Sequence, residues 1–176
     1  NIAHAATVTV TANRPCVIQV SGEIDSKTPD QLINQINALK PGCKNNQFPS
    51  IYDISVWFDS PGGDVSAAIS MGDLIRINKI VTNVARPPAN ASCASACVIA
   101  FLGGVDRRVS GRIGLHRPFP IDPLKAPEQA NARRNNINQQ LSRYFERMGI
   151  PLRLLEEINA IPPGDIRWID FRNALA

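Results

Sequence analysis

Ile54-Ser55-Val56-Trp57-Phe58-Asp59-Ser60-Pro61-Gly62-Gly63-Asp64-Val65 reads as a buried strand that runs into a double-glycine turn and then into a helix. The β-branched and aromatic run suits a pleated, half-buried surface. Two successive glycines allow backbone conformations barred to other residues and let another chain approach closely. The amides that open the following helix favour negative charge. Taken alone, Pro-Gly-Gly is also an ordinary surface turn. Beyond it Val65, Ala68, Ile69, Gly72 and Ile75 share one helical face, and residues 80–84 (Ile-Val-Thr-Asn-Val) read as the next strand.

Working upstream, Cys16-Val17-Ile18-Gln19-Val20 reads as a buried strand closed by Ser21-Gly22. Thr28-Pro29-Asp30-Gln31 is a helix start, with Thr28 as cap, Pro29 at the first helical position and Gln31 three residues after the cap. Strand, helix, strand, helix and strand in succession imply right-handed crossovers and an α/β fold with a mostly parallel sheet. Sites in such sheets form beyond the carboxyl ends of the strands, where Ser60–Gly63 falls. Downstream, residues 96–102 read as a buried helix stopped by Gly103-Gly104, and residues 112–116 as a short extended segment. A long amphipathic helix carries Ile137, Leu141, Tyr144, Phe145 and Met148 and stops at Gly149; Pro151 opens a last short helix over Leu152 and Leu155. The organisation expected is an N-terminal extension over residues 1–14 and a single domain over 15–176.

The 176 residues fit one domain of the usual size, about 100–200 residues. An apolar fraction of 44% and a charged fraction of 19% are those of a soluble globular chain. The longest apolar run, residues 96–102, falls far short of the roughly 18 residues a membrane span needs. Net charge is only +4, and the Arg107, Arg108, Arg112 and Arg117 group holds no aromatic stacking platform, which argues against a nucleic-acid partner. Ala3-His4-Ala5-Ala6 looks like the small-residue tail of a signal-peptide cleavage site, so the chain is read as periplasmic or secreted and supplied without its leader. The plainer reading is a cytosolic protein with four reduced cysteines.

Ser95 lies in Cys93-Ala94-Ser95-Ala96-Cys97, at the start of the buried helix, with only small neighbours. A serine there suits a helix N-cap. As a nucleophile it would need a base, because a free hydroxyl is a poor nucleophile. Of the two histidines His4 sits near the terminus, which leaves His116, itself compatible with a structural role.

In combination these segments resemble the Clp protease proteolytic subunit family, within the wider Clp/crotonase fold group. The matching residues are Asp59-Ser60-Pro61-Gly62-Gly63-Asp64-Val65, then Ala94-Ser95-Ala96 leading to Gly103-Gly104 and Arg107-Arg108, then Ile113-Gly114-Leu115-His116-Arg117-Pro118. The resemblance covers roughly residues 15–172. It implies ββα-type repeats, a mostly parallel sheet and a long helix after the histidine. It further implies a serine peptidase working through an acyl-enzyme on peptide or protein substrates, with no cofactor and no metal. Ser95 would be the nucleophile, His116 the base, Gly63 and Ala96 the oxyanion-hole amides, and Gly62 part of the substrate-binding turn. The family's acid lies before an Arg-aromatic-aliphatic segment, here Arg167-Trp168-Ile169. Asp165 is the candidate and Asp170 the runner-up, since Ile166 occupies the position directly before the arginine. Family members associate through the long helix, so a homo-oligomer is expected.

The chain departs from the family in its Pro-rich segment 117–123, which bears on specificity and assembly. A Ser–Lys pair, as in some relatives, would have to draw on Lys79 or Lys125, neither at a motif position. A right-handed crossover brings Cys16 and Cys43 together, whereas Cys93 and Cys97 bridge only if the helix start between them is irregular. A metal site on Cys93, Cys97 and His116 lacks a fourth ligand. Two further readings compete with the peptidase: a non-catalytic binding module on the same fold, and acyl-CoA chemistry relying on Asp64.

Overall fold

The computed structural model describes residues 4–44, 53–84, 91–118, 127–162 and 164–170; the side chains of Pro127 and Asp170 lie outside that description, as do residues 119–123 of the Pro-rich segment and Lys125. In chain order the elements are β1 (Thr7–Thr11), β2 (Arg14–Ser21), α1 (Thr28–Leu39), β3 (Ser55–Asp59), α2 (Val65–Ile77), β4 (Val81–Val84), β5 (Ser92–Ala94), α3 (Ala96–Leu102), β6 (Arg107–Val109), β7 (Arg112–Leu115), α4 (Pro127–Met148), α5 (Leu152–Ala160) and β8 (Arg167–Asp170). Five strands form one sheet in the order β1-β2-β3-β4-β6, with only β1–β2 antiparallel. A smaller sheet runs β5-β7-β8, parallel then antiparallel. The α/β fold with a mostly parallel sheet, expected from the strand–helix alternation, is what the chain adopts. β1, within the stretch expected as an extension, pairs with β2 from Thr7 to Thr11.

The core explains the layers. Ile18 and Val20 of β2, Val56 and Phe58 of β3, Leu32 and Ile36 of α1 and Met71 and Ile75 of α2 are buried in one core cluster. All seven residues of α3 are buried, consistent with a helix that is apolar on every side. α4 is buried only in its last turns, through Leu141, Tyr144, Phe145 and Met148. Its C-terminal carbonyl at Met148 accepts from Arg76 and Arg107, both at 3.1 Å, which places cations where the helix dipole favours them. The Tyr144 hydroxyl donates to the Ile99 carbonyl of α3 at 2.7 Å. Burial pushes that phenol's pKa well up, so it stays a donor. No helix among the described residues is long and apolar enough to cross a membrane.

The start of α1 differs from expectation. Thr28 is the first helical residue rather than the cap, and its hydroxyl is engaged by Asp25. One Asp25 carboxylate oxygen accepts from the Lys27 amide at 2.9 Å and the Thr28 amide at 3.1 Å, so Asp25 satisfies the orphan donors. The Thr28 hydroxyl and then the Lys27 amide hold the Asp25 carboxyl below its ordinary pKa of 3.8. Both cysteine pairs are bridged: Cys16–Cys43 ties β2 to the chain after α1, and Cys93–Cys97 ties β5 to α3.

Tyr144→Phe removes the bond between α4 and α3 and leaves the Ile99 carbonyl short of a donor. It is expected to cost about 1–2 kcal/mol, read as a lowered urea midpoint with an unchanged slope.

Candidate active site

The carboxyl end of β3 is stitched to its surroundings almost entirely by backbone. Ser60, 1% exposed, takes the Gly62 amide on its hydroxyl at 3.1 Å. The Ser60 amide donates to the Ser92 carbonyl at 2.8 Å, and the Ala94 amide donates to the Ser60 carbonyl at 3.0 Å. The Asp59 carboxylate accepts from the Ser92 amide at 3.1 Å, so β5 is clipped to the end of β3 and the two sheets meet there. On the other side the Ile24 amide donates to the Gly62 carbonyl at 2.7 Å, and the Asp64 amide donates to the Ile24 carbonyl at 2.9 Å. Asp64 caps α2 through the Ala67 amide at 2.7 Å; it is thus accounted for structurally.

Two glycines make this turn possible. Gly62 has φ +105 and Gly63 φ +135, a region that L side chains rarely enter. A Cβ on Gly62 would sit 2.6 Å from the Ser95 Cβ and 2.9 Å from the Ala96 nitrogen. The turn therefore presses its backbone directly against Ser95.

Ser95 joins β5 to α3 at φ +57 and ψ −129. A non-glycine residue held at positive φ costs on the order of 1–3 kcal/mol and persists only when its surroundings enforce it. Here its amide donates to the Gly114 carbonyl at 2.9 Å and its carbonyl accepts from the Val98 amide at 3.0 Å. Ser95 occupies the N-cap position but its side chain does not cap, which removes the plain capping account of this serine. Among the described residues its hydroxyl makes no hydrogen bond, to His116 or to any other group. The amides of Gly63 and Ala96, flanking the Gly62–Ser95 contact, likewise have no acceptor among the described residues.

His116 follows β7 and is half-buried. Its Nδ1 lies 3.0 Å from the Arg117 carbonyl oxygen. A carbonyl can only accept, so Nδ1 is the donor in that contact. Ser95, Ala96 and His116 line one narrow crevice, walled by apolar side chains that include Val98, Leu115 and Ile158. Ser95 and His116, 21 positions apart in the sequence, thus share one pocket.

The acids are less close-knit. In the β7–β8 register Leu115 faces Arg167 and Arg112 faces Asp170. The chain just before Arg167 therefore runs beside His116, while Asp170 lies at the far end of the ladder. Asp165 is exposed, its amide donates to the Pro162 carbonyl at 3.0 Å, and its carboxylate makes no hydrogen bond or ion pair among the described residues. Lys79 lines a different cleft, with Asp53, Val81 and Val105. The Cys93–Cys97–His116 metal alternative fails because both sulfurs are joined to each other and cannot serve as thiolate ligands.

Sequence reasoning did not single out Asp59 and Ser60 as the residues that dock the turn, nor the Gly114 and Arg117 carbonyls. An acid and a small polar residue closing a buried strand just before two glycines was the available signal for the first pair. The carbonyls leave no mark in a sequence. The family model for Clp protease matches residues 3–147, a span that holds Gly62, Gly63, Ser95, Ala96 and His116 and ends before Asp165. No curated protein matches the chain.

Gly62→Ala is expected to drive a methyl into Ser95 and to strain the backbone at φ +105. The folded protein should lose about 1–3 kcal/mol, measured by chemical denaturation.

Proposed function

Because the chain belongs to the Clp protease family, we propose that it is a serine peptidase acting through an acyl-enzyme on Ser95. The observation that carries this reading is Ser95 held at φ +57 in the same crevice as His116, beside two amides that have no acceptor among the described residues. A sharp strand-to-helix turn of this kind presents a serine hydroxyl outward. The Ser95 hydroxyl attacks the scissile carbonyl carbon while His116 Nε2 takes its proton. The carbonyl oxygen, now carrying the negative charge, is received by the Gly63 and Ala96 amides, with Gly62 shaping the turn. His116 returns the proton to the leaving amine, and water then hydrolyses the ester by the same steps. Each oxyanion donor of this type typically contributes about 3–4 kcal/mol to the transition state.

Asp165 is the carboxylate assigned to orient His116, taking over the Nδ1 proton from the Arg117 carbonyl, on the support of the β8 register, which runs its neighbourhood past the imidazole. The lack of a hydrogen bond between hydroxyl and imidazole does not argue against the pair, since such contacts often tighten only when substrate binds. It does supply the one observation that favours the alternative, a non-catalytic binding module that keeps the fold and the crevice. Two disulfides support an oxidising compartment, periplasmic or secreted. ATP is absent there, so an ATP-driven unfolding partner is not part of this reading. Family membership supports protein substrates and self-association, for which the exposed first half of α4 is the available surface.

A fluorophosphonate probe is expected to label the chain at Ser95, with Ser95→Ala abolishing the label. His116→Ala should slow labelling by about 10²–10⁴-fold. Absence of labelling throughout about pH 6–9, where an imidazole base is active, would instead select the binding module.

A further inference from the structure

We propose that the Cys93–Cys97 disulfide is a positioning element of this site: by tying β5 to α3 across Ser95, it holds the serine in its positive-φ conformation and aims its hydroxyl. The inference rests on the reading of Ser95 as nucleophile and adds to it the device that keeps the nucleophile in place.

The bridge spans four positions with Ser95 at their midpoint, and its Cα atoms are 5.3 Å apart. Both cysteines are fully buried. Cys93 is fixed in the small sheet opposite Ile113, and Cys97 belongs to the buried helix α3. The ring they close contains only Ala94, Ser95 and Ala96, so the turn can change shape only within that ring.

Little else near Ser95 confines it sterically. Its chain neighbours are alanines, and the residue pressed against it is a glycine. Small residues open the site to substrate, but they also leave a strained serine free to relax toward negative φ. Backbone hydrogen bonds from Ser95 to Gly114, from Ala94 to Ser60 and from Val98 to Ser95 hold the turn at separate points. The covalent bridge holds both ends.

Loop length separates this role from general stabilisation. Bridging a long loop removes more entropy from the unfolded chain than bridging a short one. Cys16–Cys43 closes 27 positions and Cys93–Cys97 closes four, so the remote bridge contributes more to overall stability and the short one mainly to local geometry.

The two bridges therefore provide matched variants. Cys93→Ala with Cys97→Ala is expected to slow fluorophosphonate labelling by on the order of tenfold to a hundredfold. On a small activated ester kcat should fall in proportion, with KM unchanged within about twofold, because an aimed hydroxyl affects the chemical step rather than uniform binding. Cys16→Ala with Cys43→Ala should lower Tm by more than the first variant does, yet label at the wild-type rate. In that second background, opening the remaining bridge with dithiothreitol should suppress labelling per folded molecule, the folded fraction being followed by circular dichroism in the same samples, and reoxidation should restore it. A folded Cys93→Ala/Cys97→Ala protein that labels at the wild-type rate, or a rate that falls only with the folded fraction, overturns the positioning role and leaves the hydrolase reading intact. A wild-type chain that never labels overturns both.

Discussion

Everything at the site depends on one backbone contact, the approach of Gly62 to Ser95. It needs positive φ on both sides, at the turn after β3 and at the joint between β5 and α3. Glycine enters such a conformation readily at the first; at the second, Ser95 is held there by its neighbours. Ile24, Ser60 and Asp59 fix the first; Gly114, the Ser60 carbonyl and a disulfide fix the second. The two sheets share this junction, so the fold's layers and the proposed chemistry use the same hydrogen bonds. Ser95, Ala96 and His116 line a crevice there, and among the described residues the Gly63 and Ala96 amides have no acceptor.

The longer elements were legible in the sequence because burial writes a period into them. β2, β3 and β4 carry apolar runs of strand length, and α2, α4 and α5 place their buried residues at helical spacing. α3 was legible for the opposite reason, being apolar all round and bounded by glycines. β1, β5, β6 and β8 were not read as strands. They are three to five residues long, and Arg107-Arg108-Val109 and Ser92-Cys93-Ala94 are held by ladder partners distant in the chain rather than by their own pattern. The cap of α1 was assigned to Thr28 because its spacing to Gln31 fits a capping box, yet Asp25 in the preceding turn takes the Lys27 and Thr28 amides and engages the threonine hydroxyl.

At the site, Gly62, Gly63, Ser95, Ala96 and His116 were named from motifs, and they lie around one turn and one crevice. Motifs state residue types in order; they do not state backbone angle. The feature that distinguishes Ser95 from a capping serine, its positive φ with an uncapping side chain, became visible only in three dimensions. The choice between Asp165 and Asp170 is likewise a matter of register, which two neighbouring aspartates in a tail cannot reveal. Backbone acceptors such as the Arg117 carbonyl, which meets the imidazole Nδ1, have no sequence signature at all.

The most direct measurement is a crystal structure of the chain after reaction with a fluorophosphonate. The account requires phosphorus bonded to the Ser95 oxygen and a phosphoryl oxygen about 2.7–3.1 Å from both the Gly63 and Ala96 nitrogens. An adduct whose phosphoryl oxygen turns away from both amides, or one formed on any other side chain, would contradict it.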